Sequence, residues 1–197
     1  MRTAEAAMLK VARMLPKGST ILDVGAGNQA HADWFKSKGY KVVTTDLNPL
    51  TDHYGDFNDI WPNILSMRGQ FDCVWCSHVL EHQQNTGRFI KAIAQLAKPN
   101  GLIAITVPPL KETLVGGHLS LYTPLSLLYN LVMAEIDCSG AALKVEGYNI
   151  SVLVKNRKAN MPWELTYDRG DIERLSHLFP VQVEQGAEGF SLQEVNW

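Results

Sequence analysis

The segment Ile21-Leu22-Asp23-Val24-Gly25-Ala26-Gly27-Asn28-Gln29-Ala30 places two glycines where an apolar strand hands over to a helix. Ser19 to Val24 reads as a buried strand, Gly25 to Gly27 as a tight turn, and Ala30 to Lys38 as a helix closed by Gly39. Tyr40 to Thr45 is a second strand ending at Asp46, followed by the turn Asn48-Pro49. Farther on, Leu102 to Val107 is an apolar strand. Strands apolar on both faces require a parallel sheet covered by helices on both sides.

The rest of the chain continues the alternation. Met8, Val11, Ala12 and Leu15 recur at helical spacing, with Arg2, Lys10, Arg13 and Lys17 on the other face, until Pro16 and Gly18 stop the pattern. His53 to Phe57 reads as a brief third strand, and Ile60 to Met67 as a brief helix interrupted early by Pro62. Phe71 to Cys76 is a fourth strand, and Thr86 to Ala97 a helix with Phe89, Ile93 and Leu96 on one face. Lys98-Pro99-Asn100-Gly101 reads as a turn, its Pro and Gly supplying the fixed and the positive backbone angles. Residues 110 to 122 form a loop; Thr123 as N-cap and Pro124 then open a helix through about Glu135. Ala141 to Val145 and Asn149 to Lys155 are linked too closely for a parallel crossover, so the sheet should end in an antiparallel hairpin. Residues 158 to 197 hold a helix near Asp171 to Leu178 and no motif. The expected organisation is a single domain over 1–197, with a core at 19–157, a lid or acceptor region at 110–135 and a C-terminal extension at 158–197.

Composition excludes several classes. With 197 residues, 46% hydrophobic and 19% charged, the chain is neither disordered nor fibrous, and its net charge of −2 offers no field for a polyanion. A nucleic-acid partner is not expected. Three cysteines, Cys73, Cys76 and Cys138, make no disulfide framework and suit a reducing cytoplasm. Arg2, Glu5, Lys10 and Arg13 interrupt any signal-peptide core, and no run approaches the ~18 apolar residues of a membrane span. The oligomeric state is open.

Gly25 permits a sharp turn, and Gly27 lets a ligand approach the backbone at a helix N-terminus. Asp46, nineteen positions after Gly27, can accept both hydroxyls of a ribose. The turn alone leaves the cofactor open. Read as GxGxxA through Gly25, Gly27 and Ala30, it passes for a dinucleotide fingerprint; a glycine turn without any nucleotide is a third possibility.

Read as DxGxG from Asp23, the same turn resembles the first motif of class I S-adenosylmethionine-dependent methyltransferases. Phe71-Asp72-Cys73-Val74-Trp75-Cys76-Ser77-His78-Val79-Leu80-Glu81-His82 resembles the fourth-strand motif of the branch that runs into an "hhLEH" sequence. Ala97-Lys98-Pro99-Asn100-Gly101, continuing to Pro108, is similar to its "LKPGG" turn before the fifth strand. His118-Leu119-Ser120-Leu121-Tyr122-Thr123 followed by Leu127 resembles its "H...[FY][ST]" segment. The resemblance spans 19 to 157. It implies an α/β, Rossmann-like class I methyltransferase fold: a seven-stranded, mostly parallel sheet, an antiparallel terminal hairpin and helices on both faces. It also implies S-adenosylmethionine as cofactor and direct displacement onto a small-molecule, lipid-precursor or sugar-derived acceptor.

Carried over by position, the resemblance assigns Asp23 and the Gly25-Ala26-Gly27 turn to the amino-acid part of the cofactor. Asp46, with Leu47 beside it, falls at the ribose, Asp56 and Phe57 at the adenine, and Ser77 and His78 at the pocket end of the fourth strand. One departure stands out: Gln29 occupies the place of the family's third glycine. The rival readings are an NAD-type oxidoreductase and a non-catalytic S-adenosylmethionine-binding or scaffold protein.

Methyl transfer from a sulfonium mainly demands alignment, and a base is needed only for a hydroxyl or poorly deprotonated amine. His78 and His118 are the catalytic candidates. His82 is assigned to ordering its loop, and His31, His53 and His177 to ordinary surroundings. His78 through His82 matches HxxEH, whose metal chemistry needs both histidines on one helix face; His78 ends a strand, so no metal is expected. Cys73 and Cys76, three apart on a strand, should point to opposite faces and form no redox pair. Trp75 and the stripe Leu125, Leu128, Val132 read as core. Ser77-His78-Val79-Leu80 stands where amino-group methyltransferases carry an Asn-Pro-Pro-Tyr type motif, which argues against a DNA base as acceptor.

Overall fold

Helix α1 (Glu5–Met14) buries Ala7, Met8 and Val11, the face that the apolar spacing specifies. The computed structural model describes residues 4–162, 164–168, 170–187 and 189–197; Arg2, assigned to this helix's outer face, lies outside them. Then come β1 (Thr20–Val24), α2 (Ala30–Ser37), β2 (Lys41–Asp46), β3 (His53–Tyr54), α3 (Phe57–Ile64), β4 (Phe71–Ser77), α4 (Thr86–Leu96), β5 (Ala97–Val107), α5 (Pro124–Met133), β6 (Ala142–Glu146) and β7 (Asn149–Lys155). These seven strands form one sheet in the order β3-β2-β1-β4-β5-β7-β6. Strands β1 to β5 pair in parallel, whereas β7 runs antiparallel to both β5 and β6. The all-parallel dinucleotide-binding sheet has no such reversed strand.

The sheet divides two cores. One gathers Phe57, Phe89, Ile93, Leu128 and Val132 from α3, α4 and α5; the other gathers Met8, Val11, Phe35 and Trp75 against α1 and α2. Cys73 lies in the second core and Cys76 in the first, on opposite faces of β4 as a spacing of three requires. Trp75 and Leu128 are each fully enclosed, and burial of such a side chain contributes roughly 1.5–3 kcal/mol. Helix α5 opens on a capping box between Thr123 and Ser126 with Pro124 in its first turn.

Several boundaries differ from the sequence reading. The third strand shrinks to His53–Tyr54 because the Asp56 side chain accepts the Asn58 N–H and starts α3 at Phe57, which then runs past position 62. Lys98 to Gly101 is a bulge inside β5 rather than a free turn: Ala97 pairs with Phe71 and Leu102 with Cys73. Its positive backbone angle falls on Asn100 (φ 60°), not on the glycine, and Asn156 Nδ2 holds the carbonyls of Ala94, Ala97 and Lys98 around it. The last forty residues hold α6 (Gly170–Arg174), a 3-10 turn at Ser176–Leu178 and an unforeseen antiparallel ribbon of β8 (Val183–Gln185) and β9 (Phe190–Leu192). Leu175, Leu178 and Phe179 join the same core as Leu128 and Val132. Among the described residues no helix is long and apolar enough to cross a membrane.

Candidate active site

The carboxyl ends of β1, β2 and β4 lie side by side, since Val24 pairs with both Thr45 and Cys76. Over them opens a cleft of about 870 Å³. Of the residues assigned from sequence, Gly25, Gly27, Asp46, Leu47, Asp56, Phe57 and His78 line it. Asp23 and Ala26 are buried behind the glycine turn, and Ser77 and His118 stand half-buried beside the cleft rather than on its wall.

Gly25 has φ +74°, and a Cβ there would lie 2.1 Å from Val79 Cγ2. The turn therefore needs glycine twice over, for its angle and for the approach of the loop after β4. A Cβ on Gly27 would meet nothing within 4 Å, which leaves that backbone open to a ligand. The turn is also tied to β2. The N–H groups of Gly25 and Ala26 donate to the Thr45 carbonyl at 2.8 and 3.1 Å. Gly27 N–H donates to Asp46 Oδ2 at 2.9 Å and Asn48 N–H to Asp46 Oδ1 at 2.8 Å, while Asn48 Nδ2 donates to the Gly27 carbonyl at 2.8 Å. Asp46 is thus held in place, and each oxygen retains acceptor capacity. Gln29, in the left-handed region at φ 63°, donates from Nε2 to the Leu50 carbonyl at 3.0 Å, a bond no glycine could make.

Asp23 is 1% exposed, and neither carboxylate oxygen has an aligned hydrogen-bond donor among the described residues. Its carboxyl is pushed up to about 7, first by burial and then by the charge of Asp46; the nearby Ala32 N–H and Lys36 oppose this.

His78 Nε2 and Asn149 Oδ1, on the first residue of β7, are 2.9 Å apart, and Nδ1 is 3.3 Å from Glu81 Oε1. The ring stacks on Tyr148 at 6.1 Å, and Lys111 Nζ stands 4.2 Å from the Tyr148 centroid. The Glu81 carboxylate raises the His78 pKa most; burial opposes it and Asn149 reinforces it. His82 Nδ1–H donates to the Gly117 carbonyl at 2.7 Å, and the Glu81 carbonyl receives the N–H groups of Leu119 and Ser120 at 2.7 and 3.1 Å. The loop at 110–122 is therefore anchored on the residues after β4. Glu81, His82 and His118 each offer one potential metal-ligand atom, all within 4.8 Å of one another. Spacing alone could not show this, since the third member comes from another loop. Asn48 reads from sequence only as a turn former and Glu81 only as part of a motif, and Tyr148 and Asn149 have no site role there. Only their positions in the fold bring them against Asp46 and His78.

Residues 2–127 match the family described as a methyltransferase domain. The chain belongs to that family. Ubiquinone biosynthesis O-methyltransferase of Dechloromonas aromatica (strain RCB) is 32% identical to this methyltransferase-family chain over 102 residues, 45% of the chain and 44% of that enzyme. The namesake from Shewanella halifaxensis (strain HAW-EB4) is 24% identical over 155 residues, 63% of the chain and 66% of that enzyme. The chain thus spans less than half the length of the first of these relatives. Among solved structures, the Burkholderia thailandensis 1,6-didemethyltoxoflavin-N1-methyltransferase, determined with 1,6-didemethyltoxoflavin and S-adenosylhomocysteine bound, superposes with a TM-score of 0.60 at 18% identity, covering 79% of this chain and 78% of that one. A SAM-dependent methyltransferase from Aquifex aeolicus gives 0.57 at 16% identity, covering 79% and 94%. These likenesses establish the fold of the methyltransferase sheet.

Proposed function

We propose that the chain binds S-adenosylmethionine in the cleft and transfers its methyl group to a small molecule, with a lipid-precursor or sugar-derived acceptor within that class. The observation that carries this reading is the glycine turn hydrogen-bonded to Asp46 beneath a cleft at the carboxyl ends of β1, β2 and β4. The donor set fits the cofactor. Gly27 leaves open backbone for its amino-acid part, Asp46 offers acceptors to the ribose hydroxyls, and Asp56 and Phe57 flank the adenine position. Asp23 and Ala26 support the turn from behind, Leu47 completes the wall, and Ser77 borders the reacting end.

When bound, the cofactor supplies a methyl group on a sulfonium, which an acceptor lone pair displaces while the carbon–sulfur pair stays on sulfur. The chain's part is alignment, which can supply up to ~7–11 kcal/mol of the barrier. His78 is an orienting group, since Asn149 Oδ1 stands 2.9 Å from one of its nitrogens and Glu81 Oε1 3.3 Å from the other. His118 and the 110–135 region face the acceptor from the loop side, and residues 158–197 extend a single methyltransferase domain. The buried, free cysteines suit a cytoplasmic location.

Thermal shift separates this reading from its rivals, because a ligand that binds only the native state must stabilise it. S-adenosylmethionine and S-adenosylhomocysteine are expected to raise the melting temperature and NAD is not; the reverse pattern would restore the oxidoreductase. Asp46→Ala should weaken S-adenosylhomocysteine binding roughly ten- to a hundredfold, the loss of ~1.5–3 kcal/mol from charge-assisted bonds. Unchanged affinity by calorimetry would remove Asp46 from the site.

A further inference from the structure

The loop after β4 and the loop at 110–122 converge on a carboxylate that hydrogen bonding does not account for. Glu81 is 0% exposed, and neither of its oxygens has an aligned donor among the described residues. Imidazoles surround it instead. His78 Nδ1 lies 3.3 Å and His82 Nε2 3.9 Å from Glu81 Oε1, and the His118 ring stands edge-on to that of His82 at 5.0 Å.

We propose that Glu81, His82 and His118 form a binding site for a divalent transition-metal ion, with zinc the fitting choice, beside the cleft. The ion site stands on these residues alone; only its part in catalysis rests on the methyltransferase reading. Three observations carry it. One ligand atom from each residue already lies within 4.8 Å of the other two. Ligands of a tetrahedral ion at ~2.0–2.2 Å sit about 3.3 Å apart, so the three ligand atoms need approach one another by no more than about 1.5 Å to close the site. His82 is oriented as metal-ligating histidines are: Nδ1–H is given to the Gly117 carbonyl, which turns Nε2 toward Glu81. Finally, the buried carboxylate has the free acceptor capacity that a cation would take up.

Two imidazoles and one carboxylate form a nitrogen-rich set that favours zinc over magnesium or calcium, which take oxygen ligands. They also leave a fourth position open, as catalytic zinc sites do. The helical arrangement of the HxxEH pattern is absent: Leu80 to His82 is a single 3-10 turn, and His118 replaces the missing ligand. His82 lines the cleft, so the site with its open position borders it. An acceptor hydroxyl placed there releases its proton to solvent more readily than in water. The oxygen's electron pair then bonds the methyl carbon, and the carbon–sulfur pair passes to sulfur to leave a neutral thioether.

The test uses the full, untagged chain, stripped with a chelator and titrated with Zn²⁺ alone by calorimetry against a competing chelator. One ion per chain is expected, with affinity reduced at least about tenfold in His118→Ala and Glu81→Gln. His177→Ala, outside the cluster, should bind as the parent does. Because Glu81→Gln alters a fully buried group, His118→Ala, checked for native circular dichroism, decides the matter if that variant does not fold. Absence of Zn²⁺ binding in the parent, or equal affinity in His118→Ala, overturns the proposal. S-adenosylhomocysteine titrated into the same samples reports on the other site separately: a chain that takes zinc but no S-adenosylhomocysteine keeps the metal site and loses the methyltransferase reading.

Discussion

Gly25→Ala is expected to lower stability by about 2–5 kcal/mol and to abolish measurable S-adenosylhomocysteine binding. The left-handed angle of +74° is the first cause, worth ~1–2 kcal/mol for a residue with a Cβ. Contact is the second. The new methyl group falls 2.1 Å from Val79 Cγ2, on the loop that presents His78 and Glu81, and overpacking of this kind costs ~1–3 kcal/mol. The displaced atoms are a branched side chain beside fully buried Leu80, so Val79 cannot swing aside freely. Gly27→Ala is the matched control, with φ +53° but open space around it; only the angular cost should appear in its urea midpoint. If Gly25→Ala unfolds at the parent's midpoint and still binds S-adenosylhomocysteine, the glycine turn is not built as described.

Asp23→Asn should change how stability depends on pH. In the folded chain burial pushes the Asp23 carboxyl up to about 7, from an ordinary value of 3.8. The native state therefore holds a proton that the unfolded state has lost, and stability falls as pH rises between about 4 and 7. The full penalty applies above about pH 7, with a ceiling of ~4 kcal/mol. An asparagine of the same shape does not ionise. The variant should match the parent near pH 4.5 and exceed it at pH 8 by a few kcal/mol. Asp72, held low partly by Lys98 at 2.6 Å, contributes with the opposite sign, and its stabilisation is lost as pH falls below about 4. That window lies below about pH 4.5, but His78, whose pKa Glu81 raises, also loses stabilisation as pH rises toward 8, so the parent-to-variant difference from pH 4.5 to 8, rather than the parent's own midpoint, isolates Asp23. A parent-to-variant difference that is flat across that range would show that Asp23 is already compensated.

What could be read in the sequence was what neighbouring residues decide together. The turn after β1, the opposite facing of Cys73 and Cys76, the N-cap at Thr123 and the hairpin β6–β7 all follow from spacings of a few residues. The bulge in β5 could not, because the extra residues are defined only against Phe71 on the paired strand. Neither could the ribbon β8–β9, whose strands of three residues carry too little pattern. At the site the same division holds. Asp46 was legible from its place at a strand end, whereas Asn48, which locks it to the turn, read only as a turn former. Glu81 read as part of a motif; its meaning as a hub depends on His118 and Gly117 arriving from another loop.

The reversed direction of β7 has a consequence for how such a chain can change. Parallel strands all end at the reactive edge, and each is followed by a crossover that is expensive to alter. Because β7 runs the other way, that edge receives its first residue, Asn149, together with the two-residue link Gly147-Tyr148 from β6. A hairpin link is the part of a sheet that most easily gains or loses residues without disturbing strand register. Lengthening it would reshape the wall around His78 while the Asp46 side kept its form, so new acceptors could be accommodated without rebuilding the cofactor's half of the cleft.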